Sequence, residues 1–581
     1  MFMISGGGAM HLNDAIGKCK GLEYICNHHE QASAIGAEGY SRVSDRLGVV
    51  IVTTGPGGTN TLTGVIGQWL DSIPALYISG QVKYKTTKAS CPEAGLRQLG
   101  DQEINIVDIV KPVTKFAQML TDPYQVRYVL EKAIYTAMNG RPGPVWLDIP
   151  LDVQAALIDE EKLPGFTPET PAPGSSDVVI QAGKALEMLR AAKRPVIVAG
   201  HGIRLAGAQP LLEKLADALK IPVLTTFCGF DLLPNESPWF AGRIGTIGTR
   251  GGNFSLQNSD LVLSLGSRNN IRQVSYDWGN YAPRARKIVV DIDSAELIKP
   301  TIKPDLPVKA DVGEFLAGLI AALPAGGAGD FSGWLAWCRE RSRNYPVVLE
   351  EYKRLKTKVS PYHFVETLTG MLPADTAVVS GNATASICLF QAGIVKKGQR
   401  LFCNSGCASM GYDLPAAIGA CVGSGRKEVV CLAGDGSLMM NLQELATVAH
   451  YRLPVKIFVF NNDGYISIKQ TQENFFESRY TACGPRSGVG LPDFVKVGGA
   501  FGLHTEIIEN VAEMGEKISR VLGFNGPALC DVRLPADHKF MPKLSSEKKP
   551  DGSMVSKPLE DMWPFLDREE FKKNMLTEQC R

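Results

Sequence analysis

"GDGSLMMNLQELATVAHYRLPVKIFVFNN", Gly434 to Asn462, sets an acidic residue between two glycines at its start and two asparagines at its end. The residues before it, Glu428 to Ala433 ("EVVCLA"), form an apolar run of strand length, and Leu438, Leu442, Leu445 and Ala449 recur at helical spacing. A second apolar run, Val455 to Phe460, follows Pro454. The pattern predicts strand, helix, strand, with the two strands parallel and both carboxyl ends on one edge of the sheet. Asp435 and Asn462 fall at those two ends. Such an edge is where open α/β sheets bind ligands, and a helix that begins just after Gly436 and Ser437 aims free N–H groups and its positive dipole end there. A phosphate group suits that place. Asp435 and Asn462 would add hard oxygen ligands of the kind that holds magnesium when diphosphate oxygens fill the other octahedral positions. The alternative is a plain helix cap and a turn; the strand and helix context favours the metal–diphosphate site.

Chain-wide properties bound the function. At 581 residues the chain exceeds one core and predicts about three or four domains. Apolar residues make up 44% and charged ones 21%, a globular composition. A formal net charge of +1 and the lack of basic runs argue against nucleic acid or an anionic membrane as the main partner. No apolar stretch has the length of a bilayer span. The thirteen cysteines are odd in number and scattered, and Cys403 and Cys407 lack the second pair that a zinc site needs, so they read as reduced thiols of a cytoplasmic protein. "MFMIS" at the N-terminus, followed by three glycines, reads as the end of a strand and lacks the charged region of a signal peptide.

Pro164 to Ser176 ("PGFTPETPAPGSS") has a linker composition, and Leu323 to Asp330 ("LPAGGAGD") marks a second break ahead of a helical stretch rich in Trp, Arg and Tyr. Each segment so defined alternates apolar strands with amphipathic helices, which predicts three doubly wound parallel-sheet α/β domains over 1–160, 176–322 and 345–537. The polar tail 538–581, with "SSEKKPDGS", predicts an irregular surface arm. No short-period repeat occurs.

A GDG that ends in NN after such a unit resembles the signature of thiamine diphosphate enzymes. By that resemblance Asp435, the side chain of Asn462 and the backbone carbonyl of Gly464 hold Mg2+. Three domains in this order resemble the pyrimidine-binding, central and diphosphate-binding domains of the acetolactate synthase branch, over nearly the whole chain. The resemblance implies a cofactor between the first domain of one subunit and the third of its partner, hence a homodimer or homotetramer. A helix normally precedes the first strand in that family, and its absence here implies a trimmed or mis-started chain. "SGNATAS" (Ser380 to Ser386) resembles the loop that wraps the diphosphate, which places Gly381 and Asn382 at the cofactor with Gly434, Gly436 and Ser437. "NSGCASMGYDLPAAIGA" corresponds to the stretch against the aminopyrimidine: Ala408 lies there, Met410 falls where the family has an apolar wedge under the cofactor, and Ile468 is carried over as a further contact. A methionine in an apolar stretch is otherwise plain core.

Thiamine chemistry needs a carboxyl group against the aminopyrimidine, and "ICNHHEQASAIGAEGYSR" offers Glu30 just after a strand and at the start of a small-residue helix. Read alone, a glutamate in a first helical turn is dipole compensation; the family pattern makes Glu30 the activating acid, with burial allowing it to carry or share a proton. Gly55, Pro56 and Gly57 make a strand-to-helix turn that admits close backbone approach. By resemblance Gly55 and Gly57 face the ring and the incoming substrate, and Gln102 in "RQLGDQEINIVDIVKPVTKF" matches a glutamine aimed at the substrate oxygen.

In the central segment, "RPVIVAGHGI" ends a strand on a glycine pair, a weak nucleotide signal alone. The wider pattern resembles, strand by strand, the FAD-binding central domain of acetolactate synthases, with Gly200, Gly202, Thr226, Gly266, Arg268, Asp291 and Asp311 at the flavin. Ile247 stands where that family commonly has histidine, which leaves a vestigial or different nucleotide site as the alternative. The reaction does not require flavin, so its role would be structural.

Arg272 falls where the family holds the carboxylate of a second keto acid; a structural ion pair is the other reading. In "NNDGYISIKQTQENFF", Thr471 takes the place of a tryptophan in the acceptor pocket, and the wider pocket resembles acetolactate-synthase-like enzymes that attach a two-carbon unit to a nucleotide-linked keto sugar. Three functions follow: a carboligase joining pyruvate to a bulky ketone, an ordinary acetolactate synthase, and a non-catalytic cofactor-binding homologue. The last ranks lowest because Glu30 and Asp435 are both present.

Overall fold

The computed structural model describes residues 1–168, 176–551 and 553–576. It contains three six-stranded sheets and a two-stranded hairpin. The first sheet takes β1 (Phe2–Met3), β2 (Ile25–Cys26), β3 (Gly48–Val52), β4 (Ala75–Gln81), β5 (Phe116–Met119) and β6 (Pro144–Pro150). The central sheet takes β7 (Pro195–Ala199), β8 (Val223–Thr225), β9 (Phe240–Arg243), β10 (Leu261–Leu265), β11 (Arg286–Asp291) and β12 (Leu306–Lys309). The third takes β13 (Ala377–Ser380), β14 (Arg400–Phe402), β15 (Val429–Gly434), β16 (Val455–Asn461), β17 (His504–Ile508) and β18 (Ala528–Arg533). Every pairing within the three sheets is parallel. The inner strands, such as β7, β10 and β16, are largely apolar runs buried on both faces, as parallel sheets covered by helices require, whereas the edge strands β5 and β17 are half-buried.

The first and third sheets share one order, β2-β1-β3-β4-β6-β5 and β14-β13-β15-β16-β18-β17. The central sheet differs: in β12-β11-β10-β7-β8-β9 the chain starts in the middle and winds outward both ways, so a crevice opens between the carboxyl ends of β7 and β10. The expected strand–helix–strand unit is present as β15, a short helix Asp435–Leu438, a helix Glu444–His450, and β16 paired directly with β15. The Trp- and Arg-rich stretch after the second break is the helix Ser332–Asn344. Part of the linker expected over 164–176 lies outside the described residues. No helix among the described residues is long and apolar enough to cross a membrane.

Two helices join the first and third domains backbone to backbone. In Glu30–Ser44 and Asp413–Gly423, a Cβ on Gly39 would lie 2.1 Å from the Ala416 carbonyl oxygen, and one on Gly419 would lie 1.9 Å from that of Gly36. Buried charge accompanies this contact: Arg42 pairs with Glu38 at 2.9 Å and with Asp71 at 2.6 Å. Asp71 in turn accepts from Ser405 N and Gly406 N of the third domain. From the central domain, Asp231 receives Arg400 at 2.6 Å.

The tail is more ordered than its composition predicts. It forms the hairpin Ser546–Lys548 with Met554–Ser556 and the helix Arg568–Lys573, and buries Leu559, Met562 and Phe571. The helix Arg250–Gln257 and the residue after it receive the tail: Asn253 Nδ2 donates to the Leu559 carbonyl, Gln257 Nε2 to Glu560, and Asn258 Nδ2 to the Asn574 carbonyl. Three apolar anchors spaced among polar residues hold this segment, a pattern that average composition conceals.

Candidate functional site

The carboxyl edge of the third sheet assembles a set of oxygen ligands. Asp435 is 3% exposed. Its Oδ2 accepts from Asn462 N and Gly464 N, each at 3.0 Å, and its Oδ1 from Gly436 N at 2.6 Å. Burial pushes its carboxyl up to about 6, against the pull of those three N–H groups. Asn462 Nδ2 donates to Thr384 Oγ at 3.2 Å, and the buried Asn462 Oδ1 has no partner among the described residues. An orphaned buried carbonyl oxygen costs free energy unless something meets it. Gly464 adopts φ 117°, and a Cβ there would meet the Cys483 carbonyl at 2.4 Å. A carboxylate held only by N–H donors, a free amide oxygen and a glycine backbone alongside fit a hard divalent cation, so these residues would hold Mg2+.

Two loops close on this edge. Asn382 Nδ2 donates to the Ser409 carbonyl at 2.6 Å, joining the Gly381 loop to the loop that carries Ala408 and Met410. Ala408 has φ 54°, and its N–H reaches Asn404 Oδ1 at 3.1 Å. Met410 is half-buried, not core. Ser437 Oγ accepts from Gly411 N at 2.9 Å. Close approach governs two of the glycines: a Cβ on Gly436 would stand 2.1 Å from the Tyr465 ring and one on Gly381 would stand 2.3 Å from Asp413 Oδ2, whereas one on Gly434 would meet Ser437 only at an ordinary 3.6 Å.

Glu30 begins its helix beside the first sheet's carboxyl edge, half-buried, with Asn60 Nδ2 donating to its Oε2 at 3.0 Å. Gly55 (φ 65°) and Gln102 (φ 63°) touch: a Cβ on Gly55 would lie 2.8 Å from the Gln102 carbonyl. A Cβ on Gly57 would meet Thr53 at 3.0 Å, so Gly57 serves its own turn rather than Gln102. Just ahead of Glu30, Glu444 accepts from Asn27 Nδ2 and His28 N, and Asn441 Nδ2 donates to Gln31 Oε1 at 3.0 Å. These clamps set the Glu30 segment against the third domain. Among the described residues no hydrogen bond or ion pair joins Glu30 to Asp435 or Asn462 within one chain.

At the central crevice, Gly200, Gly202 and Gly266 stack backbone on backbone; a Cβ on Gly200 would meet the Gly266 carbonyl at 2.4 Å and one on Gly202 would meet Gly266 Cα at 2.8 Å. A cavity opens there, with about 1010 Å³ of unfilled space including its mouth, lined by Gly202, Thr226, Gly266, Arg268, Asp291 and Asp311 and, from the first domain, by Arg141. Gly200 stands behind that lining. Asp311 Oδ1 is committed to capping its helix through Gly313 N and Glu314 N, and Thr226 Oγ donates to the Ala199 carbonyl. Asp291 Oδ1 likewise accepts from Asp293 N at 2.9 Å, and burial raises its carboxyl. The glycine approach and the room fit a dinucleotide such as FAD. Ile247 lies outside this lining, buried against Phe227 and Phe230.

Arg272 stacks over Phe227 at 4.9 Å and makes no ion pair among the described residues. Thr471 lies exposed on the helix Ile466–Phe475, its hydroxyl donating to the Ser467 carbonyl at 3.0 Å, in a surface hollow with Ile468, Gln472 and Phe476. Ile468 is 45% exposed.

Residues 1–109, 182–319 and 381–532 match, in order, the N-terminal TPP-binding, central and C-terminal TPP-binding domains of thiamine pyrophosphate enzymes. The acetolactate synthase isozyme 1 large subunit of Escherichia coli is 32% identical over 93% of this chain and 92% of its own length. Acetolactate synthase 1 of Zea mays is 30% identical over 94% and 84%. The chain belongs to the acetolactate synthase large-subunit family of thiamine diphosphate-dependent enzymes. The matched third-domain segment contains Asp435, Asn462 and Gly464, and the matched first-domain segment contains Glu30, Gly55 and Gln102. Thr384, Asn404, Asn441 and Glu444 escaped sequence reading. Their signal is faint: each is an ordinary polar residue inside a quoted motif, and its partner comes from another element.

Proposed function

We propose that the protein decarboxylates pyruvate and transfers the two-carbon unit to a carbonyl acceptor. Thiamine diphosphate, when bound, supplies a carbon nucleophile that takes up a 2-keto acid, releases carbon dioxide and passes the remaining fragment on. The observation that carries this reading is the partnerless Asn462 Oδ1 beside Asp435 and Gly464, a cation seat facing a helix N-terminus suited to diphosphate. Asn382, Gly434 and Met410 would help to hold the cofactor, the first two at its diphosphate. Glu30, oriented by Asn60, holds and moves a proton at the pyrimidine ring nitrogen. In this reading a second subunit completes the site in a homodimer or homotetramer, the arrangement that the family resemblance implies. Gly202, Gly266, Arg268 and Asp291 at the central crevice would hold FAD, whose role would be structural.

The acceptor in this proposal is a bulky ketone of the nucleotide-linked 4-keto-sugar type. Thr471 supports it: a small side chain whose hydroxyl is already bonded to its own helix leaves the hollow between Ile468 and Phe476 open. Arg272, outside that hollow and without an ion pair among the described residues, offers a guanidinium to an anionic group. The named relatives favour a second reading, acetolactate formation from two pyruvates. Labelled pyruvate offered with and without ketone acceptors separates the two. Thr471→Trp should suppress transfer to a large ketone while sparing acetolactate formation. A wild-type enzyme that makes acetolactate efficiently and ignores every bulky ketone sinks the sugar reading.

A further inference from the structure

Two first-domain strands carry polar residues deep inside apolar runs. Gln81 closes β4 at 1% exposure, and Asp148 stands within β6 at 0%. The Gln81 amide is fully used. Its Nε2 donates to Asp148 Oδ2 at 3.0 Å and to the Ile104 carbonyl at 2.9 Å. Its Oε1 accepts from Thr54 Oγ at 2.7 Å and from Val82 N at 3.0 Å. Asp148 Oδ1 accepts from Ser79 Oγ at 2.6 Å, the same hydroxyl that Trp146 Nε1 reaches at 2.9 Å. Thr54 immediately precedes Gly55, its hydroxyl stands 3.5 Å from the Gln102 carbonyl, and Ile104 belongs to the Gln102 loop.

The two ends of an amide are alike in shape and opposite in chemistry, so its neighbours decide which way round it lies. An acceptor-only carboxylate can face only the Nε2 end. That choice turns Oε1 toward Thr54 and Val82, where two donors wait. With its four bonds made, Gln81 ties Thr54, and hence the Gly55 turn, to Ile104, and hence the Gln102 loop.

We infer that Asp148 and Gln81 are positioning residues for carboligation: Asp148 sets the orientation of the Gln81 amide, and Gln81 holds the Gly55 and Gln102 loops at one separation. This rests on the proposed placement of both loops against the substrate. Neither residue touches the reacting atoms; they act through loops for which a displacement of about 1 Å can cost roughly a hundredfold in rate. Burial pushes the Asp148 carboxyl up to about 7, opposed by the Ser79 and Gln81 hydrogen bonds, and no charged neighbour contributes. β4 sets Ser79 and Gln81 against it and β5 brings Met119 to the same register position. Above about 7 the carboxyl is acceptor-only; below it the acid acquires an O–H and no longer dictates the amide's direction. Product formation should therefore rise as pH increases through that value.

The test uses the full chain with magnesium and thiamine diphosphate, following carbon dioxide release from labelled pyruvate and product formation separately across neutral pH. Asp148→Asn leaves one acceptor end where there were two, so an N–H must face either the Gln81 N–H or the Ser79 O–H, and in both cases one hydrogen bond of the cluster is lost. It should lower product formed per carbon dioxide released by about 10- to 100-fold, leave cofactor affinity unchanged, and abolish the inflection near neutrality. Thr54→Val leaves Asp148 and Ser79 in place and should lower the same ratio, and the double variant should be no worse than the poorer single one. An unchanged ratio in either variant that binds cofactor normally overturns the inference, as do independent, additive losses. If Asp148→Asn does not fold, Thr54→Val decides. If the wild type releases no carbon dioxide from pyruvate, the functional proposal falls by itself. Amide hydrogen exchange at Gly55 and Gln102 then decides the tether: faster exchange in Thr54→Val supports it, and unchanged exchange overturns it.

Discussion

Gly39→Ala and Gly419→Ala should each disrupt the docking of the first domain on the third. The added methyl would stand 2.1 Å from the Ala416 carbonyl oxygen in one case and 1.9 Å from that of Gly36 in the other, where real contacts begin near 3.0 Å. The helices must part by about 1 Å, because both obstacles are backbone and no side chain can swing aside; a gap of that size forfeits about a quarter to a half of each dispersion contact along the crossing. Overpacking a core costs about 1–3 kcal/mol, and a rigid obstacle places these variants at about 3. At about 2–4 °C per kcal/mol, the melting transition of the joined domains should fall by about 6–12 °C. Differential scanning calorimetry measures it, with Gly17→Ala as the control: Gly17 lies in the helix Met10–Lys18 with nothing within 4 Å of its would-be Cβ. The control should be neutral or stabilising by up to about 1 kcal/mol, the helix-propensity gain. A Gly39→Ala protein that melts within about 2 °C of wild type would refute the reasoning, since it would mean that the crossing yields cheaply.

Other outcomes follow from the site. Glu30→Gln should abolish turnover while magnesium and diphosphate binding persist, because the amide keeps a hydrogen bond and loses the transferable proton; near-native activity would remove Glu30 from its role. Asp435→Ala should erase the rise in melting temperature produced by magnesium with thiamine diphosphate, a stabilisation of about 2.7 kcal/mol at a hundredfold excess over Kd. An undiminished shift would mean that the carboxylate holds no metal. The purified protein, or protein reconstituted with FAD, should show a flavin absorption band that Gly202→Val removes, since the added side chain would enter the Gly266 backbone at 2.8 Å. Failure of the wild type to take up FAD would make the crevice a different nucleotide's site or a vacant one.

The third domain was legible because its chemistry is written contiguously. Asp435, Asn462 and Gly464 lie on one strand–helix–strand unit, and hydrophobic spacing alone places the two strand ends side by side, where the structure pairs β15 with β16. The order of the sheets was not legible, since strand patterns predict parallel pairing without saying which strand neighbours which; the reversal that opens the crevice between β7 and β10 emerged only from the fold. The fate of the tail was also hidden, because Leu559, Met562 and Phe571 find their partners on a helix some three hundred residues earlier, Asn253 and Leu559 being 306 residues apart.

The buried hub shows where reading a sequence by local pattern stops. "ALYISGQ" and "PVWLDIP" each read as a buried strand with one discordant polar residue, and such a residue is ambiguous until its partner is known. Asp148 and Gln81 are 67 residues apart, and Gln81 and Thr54 are 27 apart. A lone carboxylate inside a strand is costly, and an amide beside it can be satisfied in only one orientation, so the two discordances resolve each other once β4 and β6 are neighbours. A charged residue within an otherwise apolar parallel strand, with an amide ending another, is thus a searchable signal for a tether between loops. It becomes specific only when the strand order is known, because Gln81 can serve both Thr54 on β3's side and Asp148 on β6's side only if β4 lies between those two strands, as it does here.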